Sequence, residues 1–176
     1  MQIRELQEFQ EALRDIGVTK SSVEASEPKT AIGTSTDSHT REEIVLFQSL
    51  ITEAEIASVS SDLFASGYYN LSVSEAFKAI DNFVSEKAKR PRGSGTALME
   101  EVFSPSKPKL VWTSRTTKSE DDEQKGYHRL YAGAMLGIRN PTAHEFDWVE
   151  EAETALELIV FAQHLLKKAK LAKLSK

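Results

Sequence analysis

Within six residues, Arg139-Asn140-Pro141-Thr142-Ala143-His144, the chain sets an arginine, an amide, a proline and a histidine. An arginine offers a planar, permanently charged donor fork that suits a phosphate and the extra negative charge of its transition state. A histidine titrates near neutrality, so it can take or give a proton. Together they suit metal-free cleavage of RNA through the ribose 2′-hydroxyl. One histidine is thin for a reaction that needs both an acid and a base. Two chains meeting at this place would supply two.

The backbone must bring these side chains together. Pro141 has no N–H, and its ring clashes with the carbonyl of Gly137 in a regular helix. It also biases Asn140 away from helical backbone. The expectation is a break: a helix from Tyr127 to Ile138 ends near Arg139, Asn140 caps a new turn, and Pro141 is its first residue. On an unbroken helix Arg139 and His144 stand about 140° apart. A kink is therefore expected to converge them and to expose the free N–H groups of a helix start to an anion. Residue types alone leave a plainer arrangement open, in which Arg139 pairs with an acid such as Glu145 and His144 is a satisfied capping residue.

The flanking elements read as helical scaffold. Ile3, Leu6, Phe9, Leu13 and Ile16 mark one helix face over residues 1–16. Residues 17–41 are rich in Ser and Thr and read as a linker, so residues 1–16 form an arm and 42–176 the main domain. Glu42 to Ile51 is too densely apolar to choose between buried helix and strand. Thr52 and Glu55 suggest a capping box for a helix that buries Ile56, Val59, Leu63 and Phe64 and stops at Gly67. The next helix, from about Tyr69 to Ala88, has Val73, Phe77, Ile80 and Val84 as its core stripe, with Ser74, Lys78 and Asp81 on another face.

Lys89, Arg90 and Arg92 sit in a basic, Gly-containing loop that reads either as solvated surface or as a flexible phosphate contact. Lys109 to Thr113 is strand-like in composition and reads as a loop with a short extended piece, a hairpin arm being the alternative. Ser119 is a candidate cap for a helix whose first turn is acidic. Ala132, Gly133, Ala134 and Gly137 permit close approach, in a crowded bundle centre or a dimer seam. A last helix is expected from Trp148 to about Lys170, ending in a lysine cluster read as a solvated helix end. The fold expected is an all-α helical bundle.

Composition sets limits on function. The chain has 176 residues, 40% hydrophobic and 28% charged, with no cysteine and a net charge of −5. There are no disulfides and no thiolate metal sites, a reducing cytoplasm is compatible, and the apolar runs are too short and broken to span a membrane. Neither a secretory leader nor a glycine-rich phosphate loop is apparent. The acidic Ser119–Glu123 run points its carboxylates apart, so no metal site is expected, and no cofactor is implied. The acid excess argues against a protein that coats nucleic acid non-specifically.

Arg139 and His144, with polar Asn140 between them, match the R-x4-6-H motif of the HEPN superfamily. Further agreement runs through Leu63-Phe64, Gly67-Tyr68-Tyr69, Glu75 to Ile80, Leu98-Met99, Asp122-Glu123-Gln124, Ala132-Gly133 and Gly137 to Glu145. Over roughly residues 56–170 the chain resembles the Ymh-type HEPN-like family. The resemblance implies a helical bundle that dimerises with the two motifs facing each other. It implies metal-independent endoribonuclease activity in a prokaryotic defence or toxin system. The acidic balance and the N-terminal extension of about 50 residues depart from a broad RNA-binding surface and leave room for a regulatory or antitoxin partner protein. By position it makes Arg139 and His144 the catalytic pair and Asn140 a supporting residue, with Glu75 and Lys78 at the cleft. His128, about 20° off the face of Arg139, reads either as a border of the site that contacts RNA or as an exposed histidine. A non-catalytic interaction module is the alternative, since some members of the superfamily are not nucleases.

Overall fold

The central helix of the bundle owes its place to a 4-3-4 spacing. Val73, Phe77, Ile80 and Val84 all fall on one face, and all are completely buried. In the computed structural model, which describes residues 35–175, they belong to α3 (Tyr69–Lys87). Ahead of it come α1 (Ser35–Leu50) and α2 (Ala54–Ala65). After it come α4 (Gly95–Val102), a short strand β1 (Leu110–Val111) and α5 (Lys118–Ala134). A π-helical segment, Met135–Arg139, leads directly into α6 (Asn140–His144). The chain closes with α7 (Ala152–Leu171) and β2 (Lys173–Leu174). The expectation of an all-α bundle holds. The arm at residues 1–16 and most of the Ser/Thr-rich stretch lie outside the described residues.

The core is a sandwich of α3 between α2 and α7, with α4 and α5 packed alongside. Phe77 of α3 meets Phe161 of α7 at 6.4 Å between ring centroids. Buried Ala155, Ile159, Ala162, Leu165, Leu166 and Ala169 give α7 its inner face. A stack of Trp112, Phe103 and Tyr131 forms a second centre, with centroids 5.0 and 4.3 Å apart. Each polar tip in this stack finds a carbonyl of α7. The Tyr131 hydroxyl donates to Leu165 at 2.6 Å and the Trp112 indole to Lys168 at 2.8 Å.

Several local expectations change. Glu42 to Ile51 is helical, but only Phe47 and Ile51 of its apolar set are buried, and Val45, Leu46 and Leu50 are exposed. Helical structure already begins at Ser35, inside the stretch read as linker. Thr52 caps nothing. Its N–H and that of Glu53 both donate to the Gln163 side-chain oxygen, at 2.6 and 2.9 Å, and Glu53 is the residue before α2. The amide of Gln163 then donates to Leu50 at 2.9 Å, so one buried side chain satisfies the whole α1–α2 corner. Val59 and Leu63 are half-buried rather than core.

The capping box lies instead at the start of α5, two residues before the expected Ser119. The Thr117 hydroxyl accepts from Glu120 N, and the Glu120 carboxylate accepts from Thr117 N at 3.1 Å. Leu110–Val111 is no hairpin arm; it pairs antiparallel with Lys173–Leu174. The last helix starts at Ala152, so Trp148 stands in the preceding loop. Two lysines of the last helical turns are closely paired, not simply solvated. Lys168 meets Glu123, and Lys170 meets Glu53 and Glu55 at 2.5 and 2.7 Å. Gly133 and Gly137 are exposed, and a Cβ added at either would touch nothing, so the crowded-centre reading fails for the two glycines, while Ala134 is buried in the core.

Candidate functional site

The expected break at Pro141 is absent. Asn140 has φ −67 and ψ −49, within the helical region, and the chain passes from α5 through the π segment into α6 without leaving helical backbone. The proline is accommodated differently. Asn140 N–H reaches back five residues to Met135 O. That widened turn shifts the ladder where the proline ring would otherwise meet the carbonyl of Gly137. The Thr142 hydroxyl then donates to the carbonyls of Ile138 and Arg139, at 2.9 and 3.1 Å. A continuous helix has no free N-terminal N–H groups here, so the anion site expected from a helix restart is not formed. π turns of this kind occur often at functional sites.

Arg139 ends the π segment and His144 ends α6, and both line one open cleft of about 720 Å³. The opposite wall is α3, which contributes Ser74, Glu75 and Lys78. The mouth is formed by Tyr68 and by the loop from Glu145 to Glu150. Glu75 and Lys78 thus line the same cleft as Arg139 and His144, and they also pair with each other at 3.1 Å. His144 is exposed. Arg139 makes no ion pair with Glu145 among the described residues; its guanidinium donates a long hydrogen bond of 3.5 Å to Asn140 Oδ1. Asn140 itself lies beside the cleft wall rather than in it.

The remaining candidates stand elsewhere. Arg90 is held by Glu101 at 2.7 Å, and with Arg92 it lines a separate pocket. Lys89 takes a positive φ of 55° at the end of α3, and Ser85 donates to the Arg90 carbonyl at 2.7 Å. The basic loop is therefore a structured turn. His128 is half-buried on α5 and lines no part of the cleft. Among the described residues, no three His, Asp or Glu side chains gather as a metal site would require. No helix is long and apolar enough to cross a membrane.

Two residues gain importance from the geometry. Asp81 is 4% exposed and accepts Gly95 N–H at 2.8 Å. Burial pushes its carboxyl above the ordinary range; the Gly95 bond and the nearby charge of Arg139 pull it back only in part. Its place one turn beyond Lys78 on the same face of α3 was the available signal. Asn70 gave no such signal. It is a polar residue in a first helical turn, and only the fold shows its amide donating to Thr142 O and Glu145 O at 3.0 and 2.8 Å.

The charge of the cleft is mixed. Arg139 and Lys78 face Glu75, Glu145, Asp147 and Glu150. Phe146 stands 94% exposed at the mouth, and Trp148 is exposed beside it. No curated protein and no solved structure matches the chain. A family model described as a protein of unknown function, Hypoth_ymh, matches residues 51–169, from the end of α1 almost to the end of α7 and across both walls of the cleft. The chain belongs to the Hypoth_ymh family.

Proposed function

We propose that the protein is a metal-independent endoribonuclease of the HEPN type, acting as a homodimer in a prokaryotic defence or toxin system. The observation that carries this reading is the gathering of Arg139, His144 and Lys78 on facing walls of one cleft. The ribose 2′-hydroxyl attacks the adjacent phosphorus and His144 takes its proton. The P–O5′ bond breaks as the ring closes, leaving a 2′,3′-cyclic phosphate. The departing 5′-oxygen takes a proton from the second chain's copy of the same histidine. Arg139 stabilises the extra charge on the phosphoryl oxygens. The exposed stripe Leu130, Gly133, Leu136 and Gly137 on the helix that carries Arg139 is the face on which two copies would meet.

Arg139→Ala and His144→Ala are expected to lower cleavage of a mixed tRNA and single-stranded RNA panel by at least about a hundredfold. Melting temperatures should stay unchanged, and wild-type products should carry 2′,3′-cyclic phosphate ends. EDTA should not inhibit. Equal cleavage by wild type and His144→Ala would end this reading.

One observation favours a second reading. The mouth of the cleft carries more acid than base and two exposed aromatic rings, which suits a basic protein segment better than a polyanion. On that reading the domain is a non-catalytic interaction module, and His144→Ala is silent in every assay while Phe146→Ala breaks assembly.

A further inference from the structure

We infer that Asn70 is a positioning residue for His144, a two-donor clamp that fixes the turn carrying the imidazole. Its catalytic consequence rests on the ribonuclease reading; its structural consequence does not.

α6 has five residues and contains a proline, so few of its own hydrogen bonds hold it. Glu145 leaves the helix at φ −108 and ψ 135. The carbonyls of the last turn therefore lose their intrahelical partners. Pro141 O is satisfied by Glu145 N at 2.8 Å. Thr142 O and Glu145 O are both taken by Asn70 Nδ2, at 3.0 and 2.8 Å. These carbonyls stand two residues before His144 and one after it. Fixing both peptide planes fixes the direction in which the His144 side chain leaves the backbone. Asn70 is also the second residue of α3, whose Glu75 and Lys78 form the facing wall. One side chain thus ties the two walls together.

The chemistry of the amide supports the assignment. Both partners are carbonyl oxygens, so the nitrogen must face them. The amide oxygen is left buried without a partner. That arrangement carries a desolvation cost, and a neutral group with two donors at one atom is what it retains. An aspartate of the same shape would set a carboxylate against two carbonyl oxygens and donate to neither.

The test uses the full chain with Asn70→Asp, Asn70→Ala and Asn70→Ser. The first readout is the imidazole NMR spectrum, with His144 assigned by the loss of its signals in His144→Ala. His144 signals are expected to move in all three variants, least in Asn70→Ser, while those of His128 and His164 stay in place. The second readout is RNA cleavage. In Asn70→Ala, kcat should fall about tenfold to a hundredfold, as a misplacement of about 1 Å costs, with KM within about twofold. In Asn70→Asp the pH profile should also move to the alkaline side, because a new carboxylate favours the protonated imidazole. Unmoved His144 signals in Asn70→Ala and Asn70→Asp would overturn the inference whatever the activity. Loss of the His128 and His164 signals as well would overturn it in favour of a general folding role. Moved His144 signals with equal cleavage by wild type and His144→Ala would support the clamp and remove the ribonuclease reading.

Discussion

Asp81 is the only charged side chain buried among the described residues, and it sits against the charge of Arg139. Burial raises its pKa above the ordinary 3.8, so the folded chain holds that proton more tightly than the unfolded chain. The stability this contributes is fully present below the unfolded value and is lost as pH rises through the folded value. Ionised Asp81 is thus a net burden on the fold near neutrality. Asp81→Asn keeps an acceptor for Gly95 N–H and removes the charge. Urea midpoints should place it level with wild type at about pH 3 and above wild type at about pH 7. A wild type that is the more stable of the two at neutral pH would show that attraction to Arg139 outweighs burial. Gln163 tests the opposite case, a buried neutral side chain whose oxygen and nitrogen are both hydrogen-bonded. Gln163→Ala leaves Thr52 N–H, Glu53 N–H and Leu50 O without their partner, and unfolding should show a loss of about 1–3 kcal/mol.

At the scale of elements, the capping of α5 separates two residues that look alike in sequence. Thr117 and Ser119 are both hydroxyl residues ahead of an acidic run, but only Thr117 exchanges hydrogen bonds with Glu120. Thr117→Ala should cost about 1 kcal/mol and Ser119→Ala little, by thermal melts of the two variants. The apolar spacing of α3 was legible because its stripe meets helices on either side. The same kind of residues in α1 misled, since Val45, Leu46 and Leu50 are apolar yet exposed. The motif was legible as residue types and illegible as backbone. Pro141 correctly signals that the α-helical ladder fails there, but sequence cannot choose between a break and a widened π turn, because both remove the clash with Gly137 O. Long-range partners were hidden for a simpler reason. Gln163 reaches back 111 residues to Thr52, and Asn70 reaches forward 72 to Thr142, and neither spacing has a local signature.

For the whole molecule, the question is how a chain of net charge −5 would hold RNA. Much of its positive charge on the bundle is already paired: Arg90 with Glu101, Lys125 with Asp121, Lys168 with Glu123, Lys170 with Glu53 and Glu55. In the cleft only Arg139 and Lys78 are cationic, and Lys78 already has Glu75 beside it. Affinity for a polyanion depends on how many phosphates are neutralised, since each releases condensed counterions. Two contacts per chain give a slope of log K against log salt of about −1.4 for a single strand. A dimer with both clefts on one strand would give about twice that. Binding of a single-stranded oligonucleotide to His144→Ala, titrated across salt, should therefore fall only gently. A slope several times steeper would mean that another surface binds, and the Lys89 to Arg92 turn, whose arginines line a separate pocket, would be the first to examine. In that event Arg92→Ala would flatten the slope, whereas on the cleft-only account it leaves the slope unchanged and Lys78→Ala flattens it.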